Sequence, residues 1–182
     1  MRLLLVPALA LLFALAPAAD EVVAPLAATL DKNANVRFGP STGAKVAVTL
    51  KAGTQIEVFG PSRTSDEWLV VRLPREAKVW VHGKNLKAID GGKRFQVVGD
   101  KIRARNDATL SADVVAELSA GEVVEDKGLV VGDWRAVHIP DAVAYVHKSL
   151  ITLPADVGAK WDGIRAKAAN ADQVWQQALA TY

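Results

Sequence analysis

Asn35-Val36-Arg37-Phe38-Gly39-Pro40-Ser41, then Thr49-Leu50-Lys51-Ala52-Gly53, then Glu67-Trp68-Leu69-Val70-Val71-Arg72-Leu73, and finally Val79-Trp80-Val81-His82 with Leu86, form a pattern that the chain writes twice. The second writing reads Lys101-Ile102-Arg103-Ala104, Glu117-Leu118-Ser119-Ala120-Gly121, Asp133-Trp134-Arg135-Ala136-Val137-His138-Ile139, and Ala144-Tyr145-Val146-His147 with Leu150. The offset is 66 at Val36/Ile102, 68 at Gly53/Gly121, 66 at Trp68/Trp134 and 65 at His82/His147. Such a drift is what loop insertions between fixed elements produce, and a repeat of this kind governs the whole fold reading.

Inside each copy the hydrophobic period is two. Val46, Val48 and Leu50 alternate with Lys45, Ala47 and Thr49, and Ile56 and Val58 alternate with Gln55 and Glu57. Each run therefore presents one apolar face, as a half-buried strand does. Gly53, Gly60-Pro61 and Pro74 punctuate the first copy; Gly121, Gly128, Gly132 and Pro140 punctuate the second, around Val114-Val115, Val123-Val124, Val137 to Ile139 and Val143 to Tyr145. Five or six short strands per copy predict a mainly β protein of two small barrels or sandwiches. A unit of roughly 55 residues is marginal by itself, so the two are expected to pack together. The polar, Gly-rich Asp90-Gly91-Gly92-Lys93 is the expected hinge between them.

The opening Asn-Val-Arg-x-Gly-Pro-Ser, the Leu-Lys-x-Gly-Thr and the closing Val-Trp-Val-His together resemble the bacterial SH3 (Src-homology 3-like) domain family. The resemblance covers a first domain over residues 32–89 and a second over 95–153. The second departs at its opening, where Arg105-Asn106-Asp107-Ala108-Thr109 stands in place of Gly-Pro-Ser. What the resemblance implies is a pair of tandem, partly open SH3-like β-barrels used for non-catalytic binding in exported proteins, commonly toward peptidoglycan or peptide.

Composition bounds the function. With 22 Lys and Arg against 20 Asp and Glu, the net charge is +2, too little for a basic field that holds nucleic acid. The absence of Cys excludes disulfides, thiolate zinc sites, cysteine nucleophiles and an acylated N-terminal Cys. Met1-Arg2, the apolar run from Leu3 to Ala16 and the small-residue stretch Ala16-Pro17-Ala18 read as a signal peptide over residues 1–18. Its apolar run is short of the roughly 20 residues that a spanning helix needs, so no stable membrane span is expected after cleavage. The mature chain is placed outside the cytoplasm, periplasmic or secreted.

No residue set points to catalysis. Ser41, Ser111 and Ser149 lack a Gly-x-Ser-x-Gly elbow. His82 and His147 hold the same repeat position, each expected to close a strand of its own barrel, and no His-x-x-x-His spacing or acidic partner accompanies them, so no metal site and no cofactor are expected. Binding by aromatic faces is the better prospect, with Phe38, Trp68, Arg72 and Trp134 as the candidate ligand-binding residues. Alternation sets Trp68, Val70 and Arg72 against Leu69, Val71 and Leu73. The second set is uniformly apolar, which assigns it to the core and turns Trp68 outward or into a groove. The paired tyrosines of a eukaryotic proline groove have no counterpart, since the chain's tyrosines are Tyr145 and Tyr182.

After Pro154 the period changes. Trp161, Ile164, Ala168, Ala171, Trp175, Ala178 and Tyr182 recur at alternating spacings of 3 and 4, which predicts an amphipathic helix over 155–182 with Asp156 as N-cap. Gly158 and Gly163 each weaken it by roughly 1 kcal/mol against Ala, so the stripe needs a partner surface. Docking on a barrel is preferred to pairing with another helix. Trp161, Ile164 and Trp175 are the candidate partner-binding residues.

The expected whole is an exported, non-enzymatic binding or scaffolding protein of the cell envelope, its partner a cell-wall polymer or an envelope peptide or protein. The alternative is a structural interaction protein in which the Trp-containing helix mediates partner binding or oligomerisation. The export reading is tested directly: N-terminal sequencing of the exported protein should begin near Ala19, and an intact Met1 in the soluble extracytoplasmic fraction would overturn it.

Overall fold

Short Val-rich runs separated by Gly and Pro form thirteen strands in the computed structural model, which describes residues 25–159, 161 and 162. In chain order they are β1 (Leu26–Thr29), β2 (Ala34–Arg37), β3 (Val46–Leu50), β4 (Gln55–Pro61), β5 (Trp68–Arg72), β6 (Val79–His82), β7 (Leu86–Ile89), β8 (Arg94–Val97), β9 (Ile102–Arg105), β10 (Val114–Leu118), β11 (Val123–Val131), β12 (Trp134–His138) and β13 (Val143–His147). The expected signal peptide lies outside the described residues. So does the predicted helix beyond residue 162, with Ile164 and Trp175.

The strands form two SH3-like sheets with one topology. The first runs β1-β4-β5-β13-β2-β3 and the second β10-β9-β6-β12-β11-β8-β7. Reversing the second gives β8-β11-β12-β6-β9-β10, the same order as the first, with β7 added beside β8. Yet β13, from the second copy, sits between β5 and β2 of the first, while β6, from the first copy, sits between β12 and β9 of the second. The two copies have exchanged their closing strands. The exchange extends past the strands, since β7 pairs with β8 and Ile151 bridges Leu30. His82 and His147 therefore close each other's barrels, correcting the expectation that each serves its own.

The pairing also corrects the alignment of the copies. Arg37 pairs with Tyr145 and Arg105 with Trp80, so these arginines are equivalent at an offset of 68, and the counterpart of Val36 is Ala104 rather than Ile102. The divergent opening of the second copy keeps the backbone of the first. Phe38 N–H donates to Lys45 O at 3.0 Å and Asn106 N–H to Asp113 O at 3.0 Å, while the Arg37 and Arg105 guanidinium groups bond Ala44 O and Ala112 O. Gly53 and Gly121 turn at φ 82° and 88°, where a side chain is strained, and donate to Leu30 O and Val97 O.

Both crossings begin at a proline. Pro74 and Pro140 hold the same repeat position, and a residue before proline is held extended. Leu73 and Ile139 thus leave their strands extended, and a turn follows each at once, with Ala77 N–H donating to Pro74 O at 3.0 Å and Ala142 N–H to Ile139 O at 3.2 Å. Leu73 N–H donates to Ala142 O at 2.8 Å, and Leu73, Ala77, Ile139 and Ala142 are all buried, so the crossing is itself core. Asp90-Gly91-Gly92-Lys93 is not the hinge. It is the turn between β7 and β8 of the second sheet, with Arg94 ion-paired to Asp90.

Leu69, Val71 and Leu73 face the core as the alternation predicts. Trp68, expected to face outward, is only 6% exposed. Its face of β5 is roofed by His147 on the exchanged β13, directly opposite in register. Alternation separates two faces but does not say which of them another segment covers. The helical residues 155–159 and 161–162 dock on the first barrel, Val157 and Trp161 entering the core and the Trp161 ring lying over Gly60. Trp161 is thus an internal contact, not an open partner surface.

Exchange makes a quantitative expectation. Fragments 25–91 and 92–162, divided at the exposed Gly91-Gly92 turn, should associate as a 1:1 complex, because each holds a central strand of the other's barrel. Light scattering that finds two independent folded monomers would overturn the exchanged topology.

Candidate functional site

Each exchanged strand brings a histidine to a tryptophan of the other copy. In the first barrel Trp68 and His147 meet edge to face, ring centroids 5.4 Å apart at 86°; in the second, His82 and Trp134 meet at 5.5 Å and 57°. An edge-to-face aromatic pair is worth about 0.5–1.5 kcal/mol beyond its buried area. Both histidines cap a short 3-10 turn: Ser149 N–H donates to His147 Nδ1 at 3.3 Å and Lys84 N–H to His82 Nδ1 at 3.4 Å. An Nδ1 that accepts from the backbone leaves the neutral ring's proton on Nε2. Nε2 lies 3.8 Å from Glu67 Oε2 in the first barrel and 3.9 Å from Asp133 Oδ2 in the second. The acidic partners that sequence reading did not find are thus the residues just before each Trp. Backbone bonds complete the match: Lys148 N–H donates to Glu67 O at 2.8 Å and Gly83 N–H to Asp133 O at 2.7 Å. Among the described residues no three metal-ligating side chains converge.

At the first pair the outer surface opens into a recess of about 210 Å³, lined by Asn33, Asn35, Arg37, Thr42, Trp68, His147 and Leu150. Four come from the β1–β2 turn, β2 and the loop after it; His147 and Leu150 come from the exchanged segment. The recess exists only because both copies contribute. Sequence reading named Trp68 alone of this set. His147 was legible as a repeated position, but its placement beside Trp68 depends on the exchange, and Asn33, Asn35 and Arg37 carry no motif beyond the strand itself.

The other candidate ligand residues do not join this recess. Phe38 is half-buried against the first barrel's core. Trp134 is half-buried in the other barrel. Arg72 is engaged: its Nε donates to Glu57 Oε2 at 2.6 Å, its Nη1 to Pro140 O at 2.9 Å and to Asp141 Oδ1 at 3.3 Å, and its guanidinium lies over Phe59 at 5.3 Å. The Glu57 hydrogen bond, foremost among these, raises the Arg72 pKa further above its ordinary value. Arg72 serves as a clasp between β4, β5 and the second crossing segment.

A second recess of about 250 Å³ lies where the copies meet and includes Ile56, Arg72, Leu73, Pro74, Glu76 and His138. His138 is 7% exposed, and its Nδ1 is buried without a hydrogen-bond partner. Burial, the largest influence, lowers its pKa; Lys127 and Arg75 lower it too, against the opposing pull of Glu125 and Glu76. A histidine depressed in the folded state contributes full stability above its unfolded pKa of about 6.5 and costs stability as the pH falls below it. The protein should therefore lose stability below about pH 6.5 with a slope of up to ~1.4 kcal/mol per pH unit from this group. His138→Gln should flatten that slope in melting curves taken between neutral and acid pH; an unchanged slope would remove His138 as its source.

Two comparisons bear on this geometry. The family profile described as Bacterial SH3 domain matches residues 32–87. A search of curated proteins finds no match to the chain. The matched stretch runs from the β1–β2 turn through β6 into β7, so its first strands build one barrel and its last strands complete the other. Residues 32–87 thus match the bacterial SH3 domain family.

Proposed function

We propose that the protein is an exported, non-catalytic binding module of the cell envelope and that its ligand is peptidoglycan or an envelope peptide. Bacterial SH3 domains are binding modules, often connected with cell walls, and often extracellular. The observation that carries the reading is the recess at Trp68 and His147: an aromatic wall with hydrogen-bonding groups on the outer surface of a barrel, the form in which small β folds grip polymers. Scaffolding fits the same geometry, because exchange fixes two barrels rigidly in one body. Export rests on the apolar N-terminal run, and among the described residues no helix is long and apolar enough to cross a membrane. Nucleic acid is disfavoured as a partner by the near balance of charge.

The alternative, assembly through the C-terminal helix, is weakened by Trp161, whose ring is spent on the first barrel.

Co-sedimentation of residues 19–182 with purified peptidoglycan sacculi tests the reading. The protein should pellet with the sacculi and remain in the supernatant without them; retention in the supernatant in both cases would overturn cell-wall binding. Trp68→Ala is a poor probe, since losing a buried Trp costs about 3–5 kcal/mol of stability.

A further inference from the structure

We propose that the recess at Trp68 and His147 recognises a carboxylate, the free acid end or side chain of a short peptide. The inference deepens the envelope-binding reading and rests on it only for the ligand's source; the chemistry is read from the groups that line the recess.

The two asparagines have their amide oxygens engaged within the barrel. Ala52 N–H donates to Asn33 Oδ1 at 3.0 Å, and the Thr49 hydroxyl donates to Asn35 Oδ1 at 2.7 Å. An amide has two donors besides its oxygen, so each side chain's NH2 is left to serve a ligand. Arg37 uses Nη1 to hold Ala44 O at 2.7 Å, and among the described residues it pairs with no carboxylate. Its guanidinium carries five N–H donors, so most remain. Arg72, Arg75, Arg94 and Arg135 each hold an Asp or Glu, whereas Arg105, the equivalent of Arg37 in the second barrel, likewise bonds only a backbone oxygen, that of Ala112.

No lining residue of this recess is acidic. Glu67, whose Oε2 lies 3.8 Å from Nε2 of the lining residue His147, is ion-paired with Lys148 Nζ at 2.6 Å. The recess thus combines spare donors and an unneutralised cation with a Trp wall and Leu150. A ligand that matches it is rich in acceptors, anionic and carries a small apolar group. A carboxylate next to an alanine-sized side chain meets all three conditions, and charge-assisted bonds to guanidinium and amide N–H are the strong ones. A volume of about 210 Å³ suits the end of a peptide rather than a folded loop.

The second barrel shows what the first lacks. Its equivalents of Asn35 and Arg37 are Arg103 and Arg105, and Glu117 stands directly opposite Arg103 in the strand register, where the first barrel has Thr49 opposite Asn35. A carboxylate is thus part of that strand pair, although it forms no ion pair with Arg103 among the described residues. In the first barrel the corresponding position holds the neutral Thr49.

Titration of residues 19–182 with N-acetyl-alanyl-alanine and with its C-terminal amide, followed by proton–nitrogen NMR, tests the proposal. The free acid should shift the side-chain amides of Asn33 and Asn35 and the Trp68 indole, and should bind roughly tenfold tighter than the amide. Asn35→Asp, which keeps shape and the bond to Thr49 but puts a negative charge in the recess, should abolish the preference, and Arg103→Gln should leave it intact. Should Asn35→Asp melt below the assay temperature, Arg37→Gln takes its place with the same expected loss. Equal binding of acid and amide, shifts centred on Arg103 and Arg105, or no shift at millimolar peptide would each overturn the proposal. Sacculus co-sedimentation separates the two readings. Sacculus binding without acid preference overturns carboxylate recognition alone; acid preference without sacculus binding supports it and overturns the cell-wall source.

Discussion

The crossing of β6 and β13 into each other's barrels is the constraint on which the molecule depends. In each sheet the exchanged strand is central, flanked by β5 and β2 in one case and by β12 and β9 in the other, so removing it exposes two strand edges at once. Val79, Val81, Ala144 and Val146 on these strands are completely buried. A small barrel of this size buries too little surface to be stable with a central strand missing. The two barrels therefore behave as one folding unit, and this explains how the chain holds together without a disulfide.

Exchange also makes the candidate site. Trp68 is supplied by the first copy and His147 by the second, and the recess they share has walls from both. A tether between independent barrels would allow each to bind alone. Here the candidate recess and the stability of the whole are coupled through the same strand. The inter-copy ion pairs Lys45–Asp107, at 2.6 Å, and Arg75–Glu125, at 2.8 Å, add little energy of their own, being exposed, but they fix the relation of the copies.

The copies differ in chemistry along the candidate recess and match where the fold is made. Gly53 and Gly121, Pro74 and Pro140, and the His-capped turns match in geometry. Asn35 against Arg103 and Thr49 against Glu117 do not match in chemistry. The two barrels thus present different surfaces on one scaffold, as expected when function resides in the site and not in the fold.

Strand positions, the repeat and the SH3-like fold class were legible in the sequence because each rests on local physics: the period of two, glycine where φ is positive, and proline where the chain must run extended. Leu69, Val71 and Leu73 could be assigned to the core for the same reason. Local physics is silent on which barrel a strand closes, since β6 and β13 have nearly the same sequence and fit either sheet equally well in pattern. Placing His147 beside Trp68, burying a Trp that alternation turned outward and engaging Arg72 in a clasp all follow from that choice. Those features were decided by tertiary structure, because they depend on contacts between residues far apart in the chain, such as Trp68 with His147 and Arg72 with Pro140 and Asp141, which no window along the chain contains.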